Sequence, residues 1–294
     1  MNPYEYLEAH RDGFLEELMD LLRIPSISTL SAHNGDVRRA AEWVAAHLRA
    51  IGMTQVEIVE TRRHPIVYAE WLGAPGKPTV LIYGHYDVQP VDDPEGLWRS
   101  DPFEPVIRDG HLYARGATDD KGQTFVQMKA IQALLASGEM PINVKFVIEG
   151  EEESGSENIY PFIDQHAERL AADMVVISDT GMKSLDAPSI VYGLRGISYM
   201  EIEVRGPQHD LHSGTYGGLV HNPAQALVEI LAKLHDDQGH ITVPGFSDRV
   251  VVPDAGERAE LAKTPIQEDQ LRRETGVPQS WGEAGFALHE RAGI

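Results

Sequence analysis

TVLIYGHYDV at residues 79–88 decides the fold: it is an apolar run that ends in an imidazole and a carboxylate. INVKFVIEGEEESGS at 142–156 and DMVVISD at 173–179 follow the same plan, apolar first and acidic at the end. Each apolar run reads as a buried strand. Between the first two, Lys121 to Ala136 has helical spacing closed by Gly138, and another helix is expected from about Ser156. This β-α-β-α-β alternation predicts an α/β fold, with a mixed, largely parallel sheet and helices on both faces.

The pattern extends in both directions. Upstream, Tyr4, Leu7, Phe14, Leu15, Leu18 and Leu22 recur at helical spacing until Pro25. A second amphipathic helix is expected from about Asp36 to Ile51, with Ala40, Trp43, Val44, His47 and Leu48 on its apolar side and Gly52 as its stop. Strands are expected near 55–60, 66–72 and 79–83, then a hairpin in VIRDGHLYA at 106–114 that turns at Asp109 and Gly110. Residues 1–195 thereby form one α/β unit. Downstream, SYMEIEVRG at 198–206 alternates in the manner of a half-exposed antiparallel strand. A Gly-rich loop, a helix from Pro223 to Leu234 and two short polar helices after Pro253 complete a smaller α+β domain expected over 196–294.

Composition excludes several classes of function. With 46 acidic against 25 basic residues, the formal charge of -21 opposes nucleic acid and anionic membranes as partners. The absence of cysteine removes disulfides, thiolate nucleophiles and thiolate-held zinc, so a transition metal must be held by His, Asp and Glu. MNPYEYLEAHRDGF has neither the basic start nor the apolar core of a signal peptide, and no later run is long enough to span a membrane. A cytoplasmic location is the expectation.

Ligands of open α/β sheets bind beyond the carboxyl ends of the strands, where loops converge. His85 and Asp87, Glu151 to Glu153, and Asp179 all follow strand ends. Taken singly, a His near an Asp, a run of glutamates or DDKG at a helix start is ordinary surface chemistry. Placed together on one sheet edge, they point to a metal centre, because such carboxylates repel one another unless a cation or solvent intervenes. Imidazole and carboxylate suit Zn, Mn or Co, and a bridging carboxylate can hold two ions roughly 3.5 to 4 Å apart. Other motifs fail: GAPGKPT at 73–79 lacks the first glycine of a phosphate loop and has Pro78 where Ser or Thr belongs, and neither GXSXG nor HEXXH occurs.

The chain resembles the dinuclear metallopeptidases that include carnosinase, peptidase V, aminoacylase, succinyl-diaminopimelate desuccinylase and the glutamate carboxypeptidases. GHYDVQP, LWRSDPFEP, DGHLYARGATDDKG, EGEEESGS, ISD, YGLRG and DLHSGTYGG carry the resemblance, in order along the chain, with DDKG, EESGS and ISD nearest the carnosinase-like dipeptidases. It implies two divalent ions, with zinc the first expectation. His85 and Asp179 would hold one, Glu153 the other, and Asp119 would bridge them. Asp87 would orient the His85 ring, Glu152 would act as general base, and a cis peptide would join Asp119 to Asp120. His212, in DLHSG, would reach the scissile carbonyl oxygen from a lid and dimerisation domain, usually across a homodimer. Arg195 and His209 fit either structural or functional roles, and His289 lacks the Gly/Ser-rich context of the family's final ligand.

Family chains continue past the inserted domain to supply that last histidine, so this sequence is expected to end inside the insertion. Two hypotheses follow. One is a metal-dependent amidohydrolase acting on dipeptides, or alternatively on N-acyl amino acids. The other is a catalytically incomplete chain that binds metal or a partner.

Overall fold

The computed structural model describes residues 1–138, 140–182, 190–191, 193–194, 196–263, 268–284, 286 and 291; the expectations for Arg195 and His289 lie outside them. The chain divides into two compact units, 1–181 and 182–294. The first begins with α1 (Pro3–Ala9), α2 (Arg11–Leu22) and α3 (Asn34–Ala50), followed by β1 (Gln55–Val59), β2 (Ile66–Trp71) and β3 (Thr79–His85). The hairpin β4 (Val106–Arg108) and β5 (His111–Tyr113) comes next, then α4 (Lys121–Ser137) and β6 (Asn143–Glu149). The short helices α5 (Ile159–Gln165) and α6 (Ala167–Leu170) lead to β7 (Met174–Ile177).

The single helix expected before Pro25 is two helices. Asn2 and Glu5 form a reciprocal capping box at the start of α1, and His10, at φ -111° and ψ 7°, leaves helical geometry and separates α1 from α2. Tyr4 is exposed, so the apolar spacing there does not mark a buried stripe. The hairpin turns where expected, with Asp109 at φ 50° and Gly110 at φ 77°, as a tight primed turn requires.

The sheet runs in the order β1-β2-β6-β3-β7. β3 pairs in parallel with β6 and β7, whereas β2 runs antiparallel to both β1 and β6. The twofold side-chain alternation of strands then sorts the core. Val67, Ala69, Ile82, Val144, Phe146 and Ile148 pack in one cluster with Val44 and Leu48 of α3 and Phe125 and Met128 of α4. Ile66, Tyr68 and Val147 belong to a second cluster with Ile159, Phe162 and Leu170, which covers the opposite face. The expected α/β sheet with helices on both faces is present. Each large apolar side chain so buried contributes about 1.5–3 kcal/mol relative to exposure.

Two buried lysines fasten helix ends to this core. Lys121 Nζ donates to the carbonyls of Leu21 (3.1 Å) and Ile24 (2.6 Å), and Lys145 Nζ donates to those of Arg169 (2.6 Å) and Ala171 (2.8 Å). Each lysine thereby adds a donor to carbonyls at or just beyond the C-terminal ends of α2 and α6, and burial lowers the pKa of Lys121 to about 7.

The second unit contains α7 (Ser213–Tyr216), α8 (Pro223–Leu231), α9 (Ala255–Leu261) and α10 (Glu268–Thr275). Asn222 and Asp254 cap α8 and α9 through side-chain oxygens, and the two polar helices after Pro253 are where the sequence predicts them. The strand expected at 198–206 is absent. Among the described residues of this unit the only β pairing is an isolated bridge between His235 and Ile241, and Ile197 and Tyr199 are 95% and 94% exposed. Alternating apolar residues make a strand only when a neighbour takes the backbone hydrogen bonds and a core covers one face; the described residues supply neither. Nowhere among the described residues is a helix long and apolar enough to cross a membrane.

Candidate metal centre

The parallel pairing of β3 with β6 places His85 opposite Glu149 at the carboxyl edge of the sheet, with its side chain fully buried. Its Nδ1 lies 3.1 Å from the Asp87 carbonyl oxygen and 3.3 Å from Asp87 Oδ1. With Nδ1 donating to Asp87, Nε2 presents its lone pair to the opposite side. There it meets Asp119 Oδ1 at 3.2 Å, Asp179 Oδ2 at 3.6 Å and Glu152 Oε2 at 4.0 Å. None of these approaches makes a hydrogen bond, so Nε2 is a buried polar atom without a partner. A lone pair facing three carboxylates is repelled unless a proton or cation lies between them.

The titration of the site carries the same message. Burial opposes a charged His85, but the Asp87 carboxylate and the nearby Asp120 and Glu152 outweigh it and raise the pKa to about 10. Glu152 is raised by burial and by Glu153, Asp179 and Asp87, with His85 pulling the other way. Glu153 is also raised, by burial first, against the hydrogen bond from Gln89. These acidic groups favour bound positive charge. The donor set of imidazole and carboxylates fits a divalent cation: ligand atoms of His85, Glu152 and Asp179 all lie within 4.8 Å of one another.

The three consecutive glutamates have separate surroundings. Glu151 is buried and turned toward structure: its Oε1 accepts from His64 N at 2.8 Å, and Asn158 Nδ2 donates to both of its oxygens at 2.9 and 2.7 Å. Held there, it anchors a short 3-10 turn, Glu152–Ser154, that carries the next two glutamates. Glu152 faces His85 Nε2, while Glu153 Oε2 accepts from Gln89 Nε2 at 2.7 Å. Asp87 braces both sides, since its Oδ2 accepts from Glu153 N at 3.1 Å.

Asp119 is 57% exposed and joined to Asp120 by a cis peptide, at the position the resemblance implies. Of the four expected ligands, His85, Asp119 and Asp179 meet around Nε2, and Glu153 stands with Gln89 instead. Glu152, expected as the base, is among the groups nearest that nitrogen. His212 lies in the second unit, where its Nδ1 accepts from Gly214 N at 3.1 Å in a groove that His209 and His221 also line. Sequence reasoning gave Gln89 no role, and named Glu151 only within the acidic run and Asp120 only as the partner of Asp119 in the cis peptide. Each adjoins a residue it singled out or belongs to a quoted motif, but letters alone do not say which neighbour faces the site.

Comparison with known proteins identifies the family. Beta-Ala-His dipeptidase of Homo sapiens is 36% identical over 263 residues, covering 84% of this chain and 52% of the relative. Cys-Gly metallodipeptidase dug1 of Schizosaccharomyces pombe is 38% identical over 260 residues, covering 84% and 54%. The crystal structure of human carnosine dipeptidase 1 superposes with a TM-score of 0.74 at 34% identity, over 95% of this chain and 61% of that one. The chain spans about half the length of the curated relatives it matches. Residues 81–272, which include His85 and every carboxylate gathered around it, match the family model directly, and the chain belongs to peptidase family M20/M25/M40.

Proposed function

We propose that the protein is a metal-dependent dipeptidase whose centre is built on the carboxyl edge of β3, β6 and β7. The observation that carries this reading is the buried, unpartnered His85 Nε2 facing carboxylates from three separate segments. His85 and Asp179 would hold one divalent ion, Glu153 a second, and Asp119 both, with zinc the first choice and Mn or Co chemically suited. When bound, such ions polarise the scissile carbonyl and acidify water. Glu152 would take a proton from the attacking water and return it to the leaving amine nitrogen, a role suited to a carboxylate whose pKa is raised. Asp87 would hold the ring with Nε2 free for metal. His212 would donate to the carbonyl oxygen as negative charge develops there; its support is its place in the DLHSG motif.

Residues 1–195 would form the catalytic domain and 196–294 a lid and dimerisation domain, in a cytoplasmic homodimer. Small dipeptides are the proposed substrates, and the relatives' names make Beta-Ala-His and Cys-Gly the first to try. The test is metal content by mass spectrometry together with hydrolysis of a panel of dipeptides and N-acyl amino acids in zinc and in manganese. Two ions per chain with dipeptide turnover are expected. Preference for N-acyl amino acids would reassign the substrate, and bound metal without turnover of any amide would remove the hydrolase reading for this chain.

A further inference from the structure

Asp120 is fully buried beside the proposed centre, yet one of its oxygens is committed to the protein. Its Oδ2 accepts from His85 N at 3.1 Å and from Thr124 Oγ1 at 2.7 Å. The first bond reaches the end of β3, where the imidazole is mounted. The second reaches the first turn of α4, whose Thr124 N also donates to the Asp120 carbonyl at 2.8 Å. Asp119 is the preceding residue. One carboxylate therefore links the backbone of His85 to the loop that carries Asp119. Gly84 makes room for the link: a Cβ there would lie 2.1 Å from Thr124 Oγ1 and 2.8 Å from Asp120 Oδ2.

We propose that Asp120 is a positioning residue of the metal centre, which with Thr124 and Gly84 sets the approach of Asp119 to His85 and so the affinity for metal. It acts through the backbone of one ligand and the chain neighbour of another. A buried carboxylate accepting two hydrogen bonds holds two segments more firmly than either bond alone, since loss of one donor leaves a desolvated acceptor. The inference rests on the metal-centre reading above.

The experiment is zinc binding to the metal-free chain by competition with a chromophoric chelator, with the melting temperature of each metal-free variant as the structural control. Asp120→Ala should weaken zinc binding about 10- to 100-fold, the range found for partners that orient ligands. Asp120→Asn, which keeps an acceptor for the same two donors, should recover most of that loss. Thr124→Val should weaken binding by less than Asp120→Ala, while Thr124→Ser stays close to the parent. If Asp120→Ala does not fold, the Thr124 pair decides. Variants that melt lower but bind zinc as tightly as the parent would reduce Asp120 to a structural role and overturn the proposal. An Asn variant as weak as the Ala variant would make charge the agent, and would also overturn it. A parent chain that binds no zinc overturns the metal centre itself, whereas parental binding unchanged across the variants overturns only the positioning.

Discussion

TVLIYGHYDV and SYMEIEVRG are both apolar-rich segments that read as strands, and only the first becomes one. β3 has a neighbour on each side and helical cover on both faces of its sheet, so its backbone is paired and its apolar side chains are enclosed. Residues 198–206 have no strand partner among the described residues, and the apolar side chains at 197, 199 and 200 face solvent. An apolar pattern states what a segment can bury. Whether it does so depends on what other segments bring to it.

The proposed metal ligands and base lie in the first region, so the largest expected effect is there. Glu152→Gln should lower turnover by roughly 10²- to 10⁴-fold while metal content stays at two ions per chain, because it removes the proposed base and spares the proposed ligands. Glu203→Gln in the second region, where Glu203 pairs with the exposed Arg205 and with no other described residue, should leave turnover unchanged. Dipeptide kinetics with parallel metal analysis compares the two, and equal losses would erase the contrast.

Stability should divide the same way. Phe146→Ala, in the centre of β6, is expected to cost about 3–5 kcal/mol by urea unfolding. Tyr199→Ala should stay within about 0.5 kcal/mol, as exposed substitutions do. A large cost at Tyr199 would mean that this segment is covered in solution.

The smallest effect is a difference in pH response. His47 is stacked on Trp43 at 4.7 Å, and burial, reinforced by Lys129, lowers its pKa to about 4. The folded state then binds fewer protons at this ring than the unfolded chain does. The contribution of His47 is complete above about pH 6.5 and is lost as pH falls toward 4. His240 in the second unit behaves oppositely: its bond to Asp236 raises its pKa, so its contribution is present below the ordinary histidine range and fades as pH rises through the raised value. Ring titration by NMR should show the two histidines displaced in opposite directions. Displacement in the same direction would remove this distinction between the units.

Much of the first unit was legible because its signals are local. Asp109-Gly110 specifies its turn by backbone preference, the helical stretch from Lys121 ends at Gly138, and Met174–Ile177 is a strand within the bounds expected from its apolar run. The cis peptide at Asp119 was legible by a different route, through motif resemblance. The break at His10 was not legible, because apolar spacing continues across it while the backbone leaves helical geometry. The resemblance implied separate roles for Glu152 and Glu153, but the capture of Glu151 by His64 and Asn158 and of Glu153 by Gln89 was not legible.

By itself, then, the sequence determined the α/β alternation, the strand ends that carry imidazole and carboxylate, and the family to which those motifs belong. Side-chain periodicity and turn chemistry are properties of neighbouring residues, and they survive without knowledge of the rest of the chain. Only the tertiary structure decided which glutamate faces His85 Nε2, that Asp120 ties β3 to α4, and that 198–206 finds no strand partner among the described residues. Those outcomes depend on hydrogen-bond donors, strand partners and enclosing surfaces supplied by distant parts of the chain. No local pattern encodes whether such partners arrive.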